Sequence, residues 1–198
     1  MLLRGYLLYF PIHRLIDAEW LRQGYELGTI ATIIRLRILE YIPPGGAMTL
    51  HNLSQLTNIN EEVITRIIRY AISNGFLSER VPGLISHTAA SSACARDPNT
   101  RDSVLWNINV ATPGSIKLYE ALQLDPTGRD GTKTGLSVAM GERGEKMGTM
   151  WDYHAAHPEH EREFNNAMVS TESVSVQAPE HVARGFDWSK VESVVDVG

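Results

Sequence analysis

Cysteine is almost absent from this 198-residue chain: Cys94 stands alone, which excludes an internal disulfide framework and any metal site built on several thiolates. Its neighbours are Ala and Ser, with Arg96 the one nearby charge that could activate a thiol. Cys94 therefore reads as an unreactive small residue, and the low thiol content fits a reducing, cytoplasmic setting. Long apolar runs are missing too. The start, Met1-Leu-Leu-Arg-Gly-Tyr-Leu-Leu-Tyr-Phe10, is interrupted by Arg4 and followed by Pro11 with no small-x-small cleavage site, which argues against a signal peptide. Nothing approaches the roughly 18 to 20 apolar residues that cross a bilayer. These features predict a soluble chain without a membrane partner, whose apolar first residues pack on a partner subunit.

A basic surplus is also lacking. Lys and Arg total 18 against 23 Asp and Glu, a net charge of -5, so there is no electrostatic footprint for nucleic acid. The acidity is local. Residues 1–140 carry 13 basic and 12 acidic residues, whereas residues 141–181 carry 3 and 8, the composition of a solvated helical face.

What is present is helical periodicity. From Gly24 to Tyr41 the apolar residues Leu27, Ile30, Ala31, Ile34, Leu36 and Ile38 recur near helical spacing until Pro43-Pro44-Gly45-Gly46 stops them. A short helix capped by Thr49 runs to Thr57. A longer one starts at the N-cap Asn60, has Glu61 and Glu62 in the first turn, turns Val63, Ile64, Ile67, Ile68 and Ala71 inward, and ends at Gly75. Residues 76–88 read as two strands joined at Pro82-Gly83. Three helices and a hairpin predict a winged helix. Residues 91–103 read as loop and residues 104–124 as helical around Pro113-Gly114. The stretch 125–149, with Gly128, Gly131, Gly135 and Gly141, reads as a flexible connection or mobile lid. Pro158 opens a helix that carries Phe164, Ala167 and Met168, and another helix is expected over 174–184.

The β-branched run over residues 191–198 closes in Asp196-Val197-Gly198, as a first strand does on entering the glycine-rich turn of a nucleotide-binding α/β domain. A lone parallel strand is not a sheet. Either the chain is one part of a larger polypeptide, or these residues are an ordinary edge strand.

Three segments in order resemble the S-adenosylmethionine-dependent small-molecule O-methyltransferases of the plant caffeate and fungal secondary-metabolism type. They are the block 36–88, the string Trp151-Asp-Tyr-His-Ala-Ala-His-Pro-Glu-His-Glu-Arg-Glu-Phe-Asn-Asn-Ala-Met168, and the string 185–198 ending in Asp-Val-Gly. The most specific features are the Tyr-His pair, the Pro four residues after that His, and Phe-Asn-x-x-Met. The resemblance covers nearly the whole chain but only the N-terminal half of the family.

That resemblance implies a mainly α fold: a winged-helix dimerisation domain and connecting helices, ending at the first strand of a truncated Rossmann-like α/β domain. The corresponding segments are 1–104, a helical linker and substrate lid over 105–184, and 185–198 as the start of the S-adenosylmethionine-binding domain. His154, Phe164, Met168 and Asn107 match positions lining the acceptor pocket. Asp196 and Gly198 match the cofactor turn, and Ser173 lies near where some relatives reach the cofactor's amino-acid end. The catalytic base is expected beyond Gly198. The implied partners are an aromatic or polyketide-like substrate, a second copy of the chain, and a second polypeptide supplying the catalytic half. Two other readings stay open: a non-methylating enzyme of the same fold that promotes rearrangement or cyclisation, and a non-enzymatic winged-helix module.

Two further features need weighing. His154, His157 and His160 form H-x-x-H-x-x-H, which invites a metal reading. Pro158 takes His157 out of helical geometry, so the expectation is no metal, with His154 and His157 preceding the helix that begins at Pro158. A winged helix also raises DNA binding. Over residues 47–88, however, Arg66, Arg69 and Arg80 are balanced by Glu61, Glu62 and Glu79, whereas phosphate contacts need unpaired cations. Arg66 and Arg69 are expected to pair with Glu62 or solvate the helix face.

Overall fold

Apolar spacing and strong stop signals build the first unit, Met1–Asp97, in a computed structural model that describes residues 12–146, 148–174 and 179–195. Helix α1 spans Ile12–Arg35, longer than the periodicity predicts at its start and shorter at its end. Arg37 takes a left-handed conformation (φ 57°) and separates α1 from α2, Ile38–Tyr41. The break re-aims the chain so that Ile38, Leu39 and Ile42 are buried, a gain in apolar burial that exceeds the cost of about 1–2 kcal/mol for one non-glycine residue in that region. Arg37 is held there by an ion pair with Glu40.

The predicted caps form. Thr49 Oγ1 accepts the Asn52 N–H at 3.1 Å and opens α3, Leu50–Thr57. Asn60 Oδ1 accepts the Glu62 N–H at 2.9 Å and opens α4, Glu61–Ser73. Ile64, Ile68 and Ala71 of α4 are fully buried, whereas Val63 is exposed, a correction to the inward set. Gly75 follows the helix with φ 79°, where a side chain would be strained. Strands β2, Leu77–Val81, and β3, Leu84–His87, form the hairpin. The short strand β1, Met48–Thr49, pairs antiparallel with β3, giving the order β1-β3-β2. Arg69 pairs with Glu79 of β2 rather than with Glu62, tying α4 to the hairpin.

Residues 91–103 are not loop. Helix α5, Ala89–Arg96, starts at a capping box in which the Thr88 hydroxyl accepts the Ser91 N–H while Ser91 Oγ accepts the Thr88 N–H. Ser91 and Cys94 face inward. Polar residues conceal this helix in the sequence because two of them are spent on the cap.

The second unit, Pro98–Gly198, begins with α6, Pro98–Trp106, which widens into a π-helical stretch over Asn107–Ala111 and returns as α7, Thr112–Ser115. Pro113 has no N–H to give Asn109. The Thr112 N–H instead reaches Asn107 O, five residues back, so the helix survives the proline by widening. Then come α8, Leu118–Leu124, α9, Gly135–Glu142, α10, Met150–Ala156, α11, Pro158–Val174, and α12, Pro179–Gly185. The core joins Val110, Met140 and Tyr153, with Trp106 and Leu136 packed against them.

The glycine-rich stretch 125–149 is not all connection: it holds α9 and two carboxylate-centred turns. Asp125 accepts from the backbone N–H groups of Thr127, Arg129 and Asp130 and from the Thr127 hydroxyl. The hydroxyl is the first of the causes that lower its pKa to about 2. Gly135 is required by contact, since a Cβ there would lie 2.1 Å from Gly114 O. Gly135→Ala is expected to destabilise the chain by about 1–3 kcal/mol through forced separation of α7 and α9. A drop in thermal midpoint checks this, and an unchanged midpoint contradicts it.

Of the two elements expected near the end, the helix over 174–184 is α12, with residues 175–178 outside the described residues. Residues 191–195 form no strand, because a strand exists by pairing and no described strand lies beside them. Asp196 and Gly198 lie outside the described residues. No helix among the described residues is long and apolar enough to cross a membrane.

Candidate functional site: a buried histidine among aromatic rings

The end of α6, helix α10 and the first half of α11 meet at His154. Thr149 caps α10: its hydroxyl accepts the Asp152 N–H at 3.2 Å, and Asp152 Oδ2 accepts the Thr149 N–H at 2.8 Å. Asp152 is held below the usual carboxylate range, first by the Thr149 hydroxyl. Within α10, Trp151 and His154 are three apart and share a face. His154 precedes α11, as its spacing from Pro158 predicts, but lies in a helix of its own, α10, and is 3% exposed.

The His154 ring centroid lies 5.1 Å from that of Phe164 and 6.4 Å from that of Trp151. Trp106 is 5.3 Å from Phe164. The Trp106 indole N–H donates to His154 Nε2 at 3.4 Å. An indole nitrogen can only donate, so Nε2 is the acceptor and the proton of the neutral ring sits on Nδ1. That Nδ1 is buried and has no hydrogen-bond partner.

Burial lowers the His154 pKa below its ordinary 6.5, opposed by the nearby charge of Glu161. The sign follows directly. Below about pH 6.5 the unfolded chain takes up a proton that the folded chain refuses, so stability falls as pH falls through that value and stops falling at the lower folded pKa. Thermal midpoints between pH 7 and 5 should therefore decline more steeply for the native chain than for His154→Gln, and parallel curves would contradict this.

A polar clamp sets the rings in place. Asp102 of α6, 3% exposed, accepts from Asn166 Nδ2 at 2.8 Å and Arg162 Nε at 3.4 Å, both on α11. Two turns along, Asn109 Nδ2 donates to Glu163 Oε2 at 2.9 Å. These bonds hold α6 and the π stretch along α11, so Trp106 faces Phe164.

The structure thus joins His154 and Phe164. Met168 follows Phe164 by one turn and is 41% exposed, at the edge of the same helix face. Asn107 is exposed and donates to Ser103 O at 3.1 Å; the described contacts do not join it to the rings. Ser173 lies in α11, with its side chain outside the described residues. Trp106 and Trp151 were missed by sequence reasoning. Trp151 had a signal, its spacing from His154, whereas Trp106 had none, because the π turn changes the helix face just after it.

On the other side of α10 a cleft of about 500 Å³ is lined by residues including Met140, Glu145, Gly148, Asp152 and His157. A second, of about 570 Å³, is lined by Phe186, Trp188, Val191 and Val194 among others.

No family model matches the chain. By sequence it is 28% identical over 179 residues to a 6-hydroxytryprostatin B O-methyltransferase of Aspergillus fumigatus, covering 89% of this chain and 52% of that protein. It is 27% identical over 179 residues to the O-methyltransferase FrzF of a Cladobotryum species, covering 89% and 42%. By fold it is similar to the mitomycin 7-O-methyltransferase MmcR, with TM-score 0.65, 20% identity and coverage of 90% of this chain and 49% of that one. It is also similar to LepI solved in complex with SAM, with TM-score 0.67, 13% identity and coverage of 81% and 40%. The chain's relatives are fungal small-molecule O-methyltransferases, and it corresponds to their N-terminal half. It spans about half the length, or less, of the curated relatives it matches.

Proposed function

We propose that this chain forms the dimerisation and acceptor-binding half of an S-adenosylmethionine-dependent O-methyltransferase that acts on an aromatic or polyketide-like small molecule. The observation that carries this reading is the buried His154 Nδ1–H, an unpartnered donor beside the rings of Trp106, Trp151 and Phe164. An unpaired buried donor costs about 1–3 kcal/mol, a cost removed when an acceptor oxygen lies against it. Phe164 and Trp151, set edge to face with centroids 6.3 Å apart, would form an apolar wall for a planar substrate, with the pliable Met168 side chain at the edge. The indole bond to Nε2 fixes the His154 tautomer so that Nδ1 donates. When bound, the cofactor supplies its sulfonium methyl to the deprotonated acceptor hydroxyl. His154, neutral, with its Nε2 lone pair taken by the Trp106 indole and its Nδ1–H left to donate, is read as an orienting group and not as the base.

The cofactor roles of Asp196, Gly198 and Ser173 rest on the resemblance. The exposed run Val194-Val195 and the apolar cleft beside Phe186 and Trp188 support a start near residue 185 for an α/β domain whose remaining strands lie in further chain. The helices α2 to α4 with the hairpin are read as a winged helix over residues 1–104 that pairs with a second copy, and residues 105–184 as the lid and linker. A non-methylating reaction is the second reading, favoured by similarity to a structure described as a pericyclic reaction enzyme.

Native mass spectrometry tests the assembly. Multiples of 22.0 kDa accompanied by a companion chain and a cofactor-sized adduct support the reading; clean multiples with neither leave a bare dimerisation module and count against it.

A further inference from the structure

At the junction of α10 and α11 lies the one group of three His, Cys, Asp or Glu side chains among the described residues that could hold a metal ion: His157, Glu159 and His160. The sequence argument that Pro158 takes His157 out of helical geometry holds, since His157 ends α10 with φ -129° and ψ 77°. Its consequence is the reverse of the one expected. The bend turns His157 back over the first turn of α11, so that one ligand atom from each of the three residues lies within 4.8 Å of the others.

Both imidazoles are already oriented. His157 Nε2 lies 2.8 Å from Glu145 Oε2, so Nε2–H donates and the lone pair is left on Nδ1. That Nδ1 is 3.6 Å from Glu159 Oε1, against roughly 3.3 Å between two ligands held about 2.0–2.1 Å from a tetrahedral ion. His160 Nδ1 lies 2.7 Å from the hydroxyl of Tyr153, a residue fixed in the core, so its other nitrogen is available. A carboxylate or a hydroxyl on the far nitrogen of each histidine is the supporting arrangement that metal-ligating imidazoles require. Glu159 is exposed and can rotate the short distance that closure needs.

We propose that His157, Glu159 and His160 bind one divalent transition-metal ion, with Glu145 and Tyr153 orienting the two imidazoles. Two imidazoles and one carboxylate suit zinc and its neighbours rather than magnesium or calcium. The fourth position faces solvent. Through Glu145 the ion ties the segment before α10 to the start of α11.

The test is calorimetric titration of the full chain, without a polyhistidine tag, with zinc chloride, together with the visible spectrum of the cobalt-loaded chain. One equivalent bound in the micromolar range and an intense tetrahedral cobalt band are expected. His157→Ala and His160→Ala should each weaken binding at least tenfold, and Glu145→Gln by about tenfold, while His51→Ala leaves it unchanged. If His160→Ala fails to fold by circular dichroism, His160→Asn, which can still bond Tyr153, is read in its place. Unchanged binding in the His157→Ala/His160→Ala double variant, or no binding below millimolar zinc, overturns the proposal.

Discussion

Replacing Tyr153 by alanine is expected to cost about 3–5 kcal/mol and to unfold much of the second unit, the range seen when a large buried aromatic is truncated. Tyr153 is 1% exposed, packs in one cluster with Val110 and Met140, and lies 4.4 Å and 5.5 Å, ring to ring, from His157 and His160. It therefore joins the π stretch, α9 and the α10–α11 bend at a single point. Tyr153→Phe keeps the ring and loses the hydroxyl with its bond to His160, for about 1 kcal/mol. Urea unfolding followed by far-ultraviolet circular dichroism separates the two. Equal losses in both variants would mean that the hydroxyl, and not the ring, holds the unit together.

Phe164→Ala is expected to raise the acceptor KM of the completed enzyme by tenfold to a hundredfold and to leave the KM for S-adenosylmethionine unchanged. Phe164 is the ring common to Trp106, Trp151 and His154. Removing it takes away a stacking surface and opens His154 to water. Tenfold to a hundredfold corresponds to about 1.4–2.8 kcal/mol, in line with one aromatic contact and its buried area. Met168→Ala should have a smaller effect, because that side chain is already partly in solvent. An acceptor KM unchanged in Phe164→Ala would remove the rings from the pocket.

The first unit was legible where local chemistry acts alone. Thr49 and Asn60 cap helices, Gly75 ends one and Pro82-Gly83 turns a hairpin whatever surrounds them, so those boundaries read directly from the chain. Arg37 was not legible, because its left-handed conformation follows from burial of Ile38 and Ile42, a tertiary demand. Helix α5 was hidden because Thr88 and Ser91, polar residues that suggest loop, cap it. In the glycine-rich stretch the sequence pointed to freedom, whereas Gly135 is there to let two helix backbones touch. For the candidate site, Phe164 and His154 came from the spaced string 151–168. Trp106 lies 48 residues before His154 in the chain, and no spacing rule joins residues so distant. The histidine series shows the same limit, since the bend at Pro158 that removes helical spacing is what brings His157 and His160 together.

We propose that these rings receive the acceptor of a methyl transfer. The most direct test is formation of S-adenosylhomocysteine by this chain co-expressed with the C-terminal half of a fungal relative, assayed with hydroxylated aromatic substrates. The expected result is demethylated cofactor and O-methylated product in equal amounts, both lost in Phe164→Ala at low substrate. Product formed without cofactor demethylation, or methyl transfer indifferent to Phe164 and His154, would contradict it.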